Sequence, residues 1–138
     1  MEIEVLNQKN KHLINETQDK NRFHTILNFK EKYNGYNEVF DALLGVQNNR
    51  LVNYCFVSGT QDSRLYNIEF LDLSKRDFVE KSVDQVFTNF DAETVSILSP
   101  SDASGSLVPL GFDDLGKVEG AHLYVKDRTL KQRQERSK

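Results

Sequence analysis

Residues 77–90 read DFVEKSVDQVFTNF, and the spacing of their apolar side chains decides the fold class. These positions recur so that they form one stripe along a helix of about 3.6 residues per turn. The stripe consists of Phe78, Val79, Ser82, Val83, Val86, Phe87 and Phe90. Asp77, followed three residues later by Glu80, has the spacing of an N-cap and its box partner, and Ser74 could cap a helix that begins earlier. We therefore predict an amphipathic helix over 77–90.

Runs of β-branched and aromatic residues lie on both sides of this helix. Three runs before it, separated by polar turns, predict an antiparallel meander, and one run after it predicts the next strand. The three strands are predicted over 39–46, 51–58 and 65–73, and the later strand over 93–98. A strand–helix–strand crossover is almost always right-handed and places its two strands parallel. The helix therefore joins two parallel strands in a sheet that is otherwise antiparallel.

The remaining segments complete the predicted order of elements. Ile3 and Val5 alternate with glutamates, which is typical of a short, half-buried strand. Residues 8–33 predict one or two helices interrupted at 19–21, 99–106 a loop of small residues that is mobile over 101–106, 107–110 a helical turn, 111–116 a turn and 121–126 a last strand. The fold class is therefore α/β in the broad sense (α+β). It has a mixed, mostly antiparallel central sheet of about six strands with helices on both faces.

The composition is that of one small globular domain. The chain has 138 residues, of which 38% are hydrophobic, 28% charged and 10% aromatic, and this length is near the usual size of a domain. We predict a domain over 1–125, followed by 126–138, which hold the end of the last strand and a basic, frayed tail. There is no run of eighteen apolar residues, no signal peptide, and only one cysteine, Cys55. These features predict a cytoplasmic protein without a membrane span.

The charge is unevenly distributed along the chain. The formal net charge is −3. Residues 126–138 hold six Lys or Arg and two acids, a net charge of +4, which leaves −7 on the rest of the chain. An acidic body repels phosphate backbones, so we expect no nucleic-acid binding. The basic tail could be an interaction arm, although such an ending is more often a solvated terminus.

The closing segment of the sequence resembles that of a known family. Residues 107–116 read LVPLGFDDLG, and residues 120–126 read GAHLYVK. These stretches are similar to the GNAT (N-acetyltransferase) superfamily, in which a short helix ends in Leu-Gly-Phe and the last strand ends in Tyr or Met, any residue, and Lys. The predicted order of elements also follows that superfamily over nearly the whole chain. We therefore expect a GNAT-like fold.

The resemblance implies an acyl-CoA site between the fourth and fifth strands. In the family, the pantetheine pairs with the backbone of the fourth strand, and the pyrophosphate lies on amides at the start of the next helix. Helix N-termini attract anions, although an ordinary capped helix with solvated basic residues is the alternative here. The residues implied in cofactor binding are Leu71, Leu73, Ser74, Lys75 and Arg76. The implied partners are acetyl-CoA or another acyl-CoA as co-substrate and an amine of unknown identity as acceptor, without a metal.

Three positions depart from the family's pattern. Its phosphate loop reads Gln or Arg, two residues, Gly, one residue, and Gly or Ala; Arg76 matches, and the glycine positions hold Val79 and Lys81. Many members use a Tyr four residues before the Gly of Gly-Phe as general acid, and that position holds Leu107, which cannot donate a proton. Two hypotheses follow. One is acyl transfer by positioning and polarisation of the thioester; the other is a non-catalytic GNAT-fold module for ligand sensing or protein–protein interaction.

The sequence identifies no catalytic residue. Carboxylates at strand ends are weak candidates for a general base, namely Glu69, Asp72 and Glu93. The three histidines are too far apart in sequence to predict a metal site; they are His12, His24 and His122. Cys55 fits a small buried apolar position better than a nucleophile. An exposed sheet edge or the basic tail could pair two copies in a homodimer, which the sequence leaves open.

Overall fold

The computed structural model describes residues 1–129, and in this range the chain forms one sheet flanked by helices. The strands are β1 Glu2–Val5, β2 Glu38–Gln47, β3 Arg50–Thr60, β4 Leu65–Phe70, β5 Thr94–Ser99, β6 Asp113–Val118 and β7 Ala121–Asp127. The helices are α1 Lys20–Lys32, α2 Arg76–Asn89 and α3 Ser104–Leu107, with 3-10 helices at Lys11–Ile14 and Val108–Leu110. Residues 130–138, most of the predicted basic tail, lie outside the described residues. None of the described helices is long and apolar enough to cross a membrane.

The strand order in the sheet is β1-β2-β3-β4-β5-β7-β6. β4 and β5 are parallel, and every other neighbouring pair is antiparallel. The predicted mixed, mostly antiparallel sheet and the crossover through α2 are thereby confirmed.

The sheet has seven strands because β6 occupies part of the segment that the sequence predicted as a turn. All of its residues are exposed, so it lacks the alternation of apolar and polar residues that marks a strand. Gly116 adopts a left-handed φ of 85°, and its N–H donates to the Asp114 carboxylate at 2.9 Å. This local bend interrupts the pairing of β6 with β7. Its sequence has the composition of a turn, which explains the prediction.

Helices cover both faces of the sheet, as predicted. Successive residues of β2 and β3 point to opposite faces. Ala42 and Phe56 belong to the core beneath α1, whereas Leu43 and Cys55 belong to the larger core beneath α2. The apolar stripe of α2 is buried in that larger core. The two cores fix α1 and α2 on opposite sides of the central strands.

The predicted caps of α2 are wrong, although the helix itself is confirmed. Lys75 occupies the N-cap position, and no side chain caps the helix. Ser74 is engaged elsewhere, because its N–H and its hydroxyl both donate to the Asp72 carboxylate, at 2.9 and 2.6 Å. Asp77 lies inside the first turn and forms an ion pair with Lys81 at 3.3 Å. The first turn of α2 therefore keeps amides that no side chain satisfies.

The chain returns to α2 after the last strand. Arg128, which the sequence placed in the basic tail, is only 5% exposed. Its guanidinium donates to the carbonyl of Phe87 in the last turn of α2 and to the Asp91 carboxylate, the latter at 2.9 Å. Its backbone N–H donates to the carbonyl of Glu93 at 2.8 Å. A cation at this position donates to a carbonyl group that the end of the helix leaves unpaired, and its charge complements the helix dipole. Arg128 is therefore part of the packed structure.

Cys55 is a buried thiol and is expected to be unreactive in the folded protein. Burial raises the pKa of its thiol to about 12, and the thiolate is the reactive species. We expect no reaction with an aromatic disulfide reagent at pH 8, and full reaction after unfolding in urea, as followed by absorbance. Reaction of the folded protein at the rate of a free thiol would contradict this placement.

Candidate functional site

β4 and β5 are paired along only part of their length. Three consecutive residue pairs join them, ending with Asn67 and Ser96. The Asn67 side-chain amide closes the paired part by donating to the carbonyl of Ser96 at 3.2 Å and to its hydroxyl at 3.1 Å. Beyond this point β4 continues to Phe70 beside β3, and β5 continues to Ser99 beside β7. The two parallel strands therefore splay apart toward their C-terminal ends.

The splay leaves two facing strand edges without a strand partner between them. Residues 68–70 of β4 pair with β3 on their other side, and residues 97–99 of β5 pair with β7. Backbone N–H and C=O groups require hydrogen-bond partners, and an open strand edge accepts a chain that carries amides. The cleft can therefore bind an extended, amide-containing ligand.

The structure brings the five predicted cofactor residues together in the connection from β4 to α2. Arg76 is the first residue of α2, and the other four precede it; they are Leu71, Leu73, Ser74 and Lys75. The predicted strand over 65–73 is too long, because β4 ends at Phe70. Leu71 is 56% exposed and Leu73 packs against the core. The strand ends early because the turn formed by Asp72 and Ser74 redirects the chain into the helix.

The start of α2 offers two backbone amides to an anion. The N–H of Val79 is used inside the helix, where it donates to the carbonyl of Lys75 at 3.0 Å. Among residues 1–129, the N–H groups of Asp77 and Phe78 have no acceptor. The side chain of Val79 is buried in the core. The free amides therefore lie at the very first turn of the helix, before the positions that match the family's glycines.

A carboxylate in the same connection opposes an anion. Asp72 accepts both hydrogen bonds from Ser74, and these bonds hold the pKa of its carboxyl below the usual value. It is therefore ionised at neutral pH. Its negative charge lies four residues before Arg76 and offsets part of the attraction that Lys75 and Arg76 exert.

Besides the cleft, a hollow of about 170 Å³ lies between α2 and the 3-10 helix Val108–Leu110. Its polar lining consists of Arg76, Glu80, Asp84 and Lys126. The Lys126 ammonium lies 5.9 Å from the centroid of the Phe87 ring. Gly111 ends the 3-10 helix with a left-handed φ of 96°, and a Cβ at this position would approach the Lys126 side chain to 3.2 Å. Sequence reasoning did not single out Lys126, although this lysine ends the last-strand motif that carries the resemblance.

The position of the family's general acid contributes no proton donor. Leu107 is fully buried in the core beneath α2. Tyr124 of β7 does carry a phenol, and it lies beside the loop after β5. Its hydroxyl accepts the N–H of Ala103 at 2.8 Å and donates to the Asp102 carboxylate at 3.1 Å, and burial raises its pKa. The segment that the sequence predicted as a mobile loop is thus tied to β7 and ends in α3.

The three candidate bases occupy different places relative to the cleft, and Asp72 belongs to the connection from β4 to α2 described above. Glu69 lies on β4 beside the splay, and Arg22 of α1 binds its carboxylate through two hydrogen bonds, at 2.6 and 3.1 Å. The Arg22 guanidinium also lies 3.7 Å from the centroid of the Phe56 ring. Glu93 precedes β5 at the end opposite to the splay and pairs with Arg64 at 3.0 Å. The hypothesis that Glu93 serves the cleft is therefore wrong.

The described part of the chain contains no metal centre. No three His, Cys, Asp or Glu side chains in residues 1–129 are arranged to hold a metal ion.

Known acetyltransferase structures share this architecture over 92–100% of the chain. The aminoglycoside acetyltransferase AAC(6')-Ib in complex with coenzyme A is 12% identical, with a TM-score of 0.61 over 99% of this chain and 98% of that one. A variant of the spermidine N-acetyltransferase SpeG of Vibrio cholerae is 13% identical, with a TM-score of 0.57 over 100% of both chains. Tetrahymena GCN5 is 9% identical, with a TM-score of 0.58 over 92% of this chain and 96% of that one. No protein-family model and no curated protein matches the sequence significantly. From β1 to β7, the chain has the fold of the GNAT acetyltransferases.

Proposed function

We propose that this protein binds acetyl-CoA or another acyl-CoA in the cleft between β4 and β5 and transfers the acyl group to an amine. The observation that carries the proposal is the splay of these strands after Asn67 and Ser96. The pantetheine arm of CoA contains two amides, and the open edge of residues 68–70 can pair with them as a strand would. A protein of the same fold has coenzyme A bound, which supports this choice of ligand.

The phosphates would lie at the first turn of α2. Lys75 and Arg76 supply positive charge there, and the N–H groups of Asp77 and Phe78 supply hydrogen bonds. Leu71, Leu73 and Ser74 complete the connection along which the cofactor would pass. Lys126, which shares a hollow with Arg76, is a second contact for the phosphates.

Acyl transfer requires little from side chains in this cleft. The amine nitrogen attacks the thioester carbon, the carbon–nitrogen bond forms and the carbon–sulfur bond breaks. The nitrogen loses one proton and the CoA thiolate takes up one proton. Backbone N–H groups at the cleft edge would polarise the carbonyl, and binding would hold the two reactants together. Leu107 supplies no proton at the position of the family's general acid, so the thiolate would take its proton from solvent.

Ligand binding without transfer is the second candidate function. It is favoured by two buried apolar residues, Leu107 at the position of the family's general acid and Val79 at a glycine position of its phosphate loop. A sensor or interaction module needs the cleft but no proton donor. The two functions differ in whether CoA is released, not in where the cofactor binds.

Thermal unfolding with and without acetyl-CoA tests the binding step. Acetyl-CoA at about 100 times its dissociation constant should stabilise the protein by about 2.7 kcal/mol. Arg76→Glu should reduce this shift, and Asp72→Asn should increase it because a negative charge beside the phosphates is removed. Lys9→Glu, a charge reversal in the exposed turn before the 3-10 helix Lys11–Ile14, is the matched control. Absence of any shift at millimolar acetyl-CoA would refute the proposal, and an unchanged shift in Arg76→Glu would place the phosphates elsewhere.

Release of CoA across a panel of amines separates the enzyme from the sensor. The free thiol of CoA can be followed with a disulfide reagent, because Cys55 is buried and does not contribute to the signal. An enzyme releases CoA in proportion to time and amine concentration. A sensor is stabilised by acetyl-CoA and releases none.

A further inference from the structure

A cavity of about 430 Å³ opens at the end of the sheet opposite to the cofactor cleft. Its walls come from the end of α1, the turn that follows, the start of β2, the residues just before β4, Tyr66 at the start of β4, and the end of α2. The proposed cofactor site lies beyond the other end of β4, after Phe70. Residues 67–70 of β4 therefore separate the cavity from the phosphate end of that site, and none of the five proposed cofactor residues lines the cavity.

A continuous row of aromatic rings forms one wall of this cavity. The rings follow the order Tyr36, Tyr33, Phe29 and Phe40, with successive centroid distances of 5.0, 4.9 and 5.0 Å. The two outer residues are solvent-exposed, Tyr36 to 57% and Phe40 to 43%. Aromatic faces in a concave surface provide apolar contact and a negative electrostatic potential. This wall can therefore bind an apolar or a cationic group.

Both basic residues that line the cavity are already engaged. Lys30 donates to the Asp41 carboxylate at 2.9 Å and to the carbonyl of Leu6 at 2.7 Å. Arg64 pairs with Asp91 at 3.3 Å and with Glu93 at 3.0 Å. An anionic ligand would have to displace one of these partners. The cavity therefore offers little to an anion.

One carboxylate at the mouth of the cavity is unengaged. Glu38, the first residue of β2, is exposed and forms no ion pair or hydrogen bond with another side chain within residues 1–129. The lining then has three carboxylates against two basic groups. The Lys32 ammonium already lies 5.4 Å from the centroid of the Tyr33 ring, so the exposed rings of Tyr36 and Phe40 are the ones left for a ligand. The exposed rings and the unengaged Glu38 carboxylate together favour a cation.

We propose that this cavity binds a small organic cation, with an ammonium group beside Glu38 and an apolar or aromatic body against the row of rings. A cation over an exposed aromatic ring gains roughly two- to fivefold in affinity. An exposed carboxylate adds a factor of similar size. The proposal is independent of acyl-CoA binding, because no residue of the cofactor site lines the cavity.

Three probes of similar shape and different charge test this proposal on the protein without CoA. Benzylamine, benzyl alcohol and benzoate are titrated at pH 7, and ¹H–¹⁵N correlation spectra report which amides shift. We expect saturable shifts within 29–41, 61–66 and 89–91. Benzylamine should bind at least threefold more tightly than benzyl alcohol, and benzoate more weakly than either.

Substitutions at the mouth of the cavity test whether Glu38 and Tyr36 cause the preference for benzylamine over benzyl alcohol. Glu38→Gln should weaken benzylamine binding roughly two- to fivefold and leave benzyl alcohol binding unchanged, whereas Tyr36→Ala should weaken both. Glu16→Gln, at another exposed carboxylate, is the matched control and should change neither. The proposal is overturned if benzylamine and benzyl alcohol bind equally, if the shifts lie outside the cavity, or if Glu38→Gln binds benzylamine as tightly as Glu16→Gln.

Discussion

Replacement of Phe78 by alanine is expected to lower the free energy of unfolding by about 3–5 kcal/mol, the usual cost of removing a buried phenylalanine ring. Phe78 lies in the first turn of α2 and is 2% exposed. Its ring packs edge-to-face on Phe70 of β4, with centroids 6.0 Å apart and an interplanar angle of 89°. On the sheet it lies over Gly45, where an added Cβ would come within 2.9 Å of the ring. Urea unfolding measures the loss directly.

The matched control for this variant is Phe40→Ala, because Phe40 is a partly exposed phenylalanine on the α1 side of the sheet. It should cost markedly less than Phe78→Ala. Gly45→Ala should destabilise the parent protein and cost less in the Phe78→Ala background, since the ring that it would displace is gone. Equal costs in both backgrounds would show that Gly45 and Phe78 do not constrain each other. Because Phe78 fixes the start of α2, its removal should also weaken the stabilisation by acetyl-CoA.

Replacement of Arg128 by alanine is expected to destabilise the protein by about 1.5–3 kcal/mol, the range for losing hydrogen bonds to a charged group. The variant leaves the carbonyl of Phe87 without its guanidinium donor and removes the ion pair with Asp91. Arg128→Lys should be intermediate, because an ammonium cannot reproduce the planar geometry that reaches both partners. Hydrogen exchange in the last turn of α2 should accelerate in Arg128→Ala.

The control for Arg128 is Lys117→Ala, which removes an exposed basic residue from the edge strand β6. Its effect on urea unfolding should be within about 0.5 kcal/mol of zero. If Arg128→Ala resembles Lys117→Ala, the contact with α2 contributes nothing to stability.

The sequence predicts most of the fold because its elements carry strong periodic patterns. The stripe from Phe78 to Phe90 identifies α2, and the alternation along β2 and β3 identifies the central strands. β6 is not predicted because an exposed edge strand has no buried face and therefore no alternation of apolar and polar residues. The caps of α2 are mispredicted because Asp72, two residues upstream, competes for Ser74. This interaction spans two residues and has the spacing of an Asx turn, so the local sequence offered Ser74 two competing roles.

The site is less predictable than the fold. Resemblance located the connection that holds Lys75 and Arg76, but only the structure shows that Lys126 lies beside Arg76 and that Glu93 lies at the far end of β5. Arg128 belongs to a run of basic residues in sequence and is nevertheless buried. These relations join residues that are far apart in the chain, and no local pattern encodes them.

The short seam between β4 and β5 has a mechanical consequence. Three residue pairs join a plate made of β1 to β4 with a plate made of β5, β7 and β6. Of the six strand pairings within residues 1–129 this one joins the fewest residues, so rotation of the two plates about the seam is opposed by the fewest paired residues. A ligand whose amides pair with the open edges lengthens the seam and stiffens the sheet. We therefore expect cofactor binding to slow hydrogen exchange in both plates, including amides that the ligand does not touch.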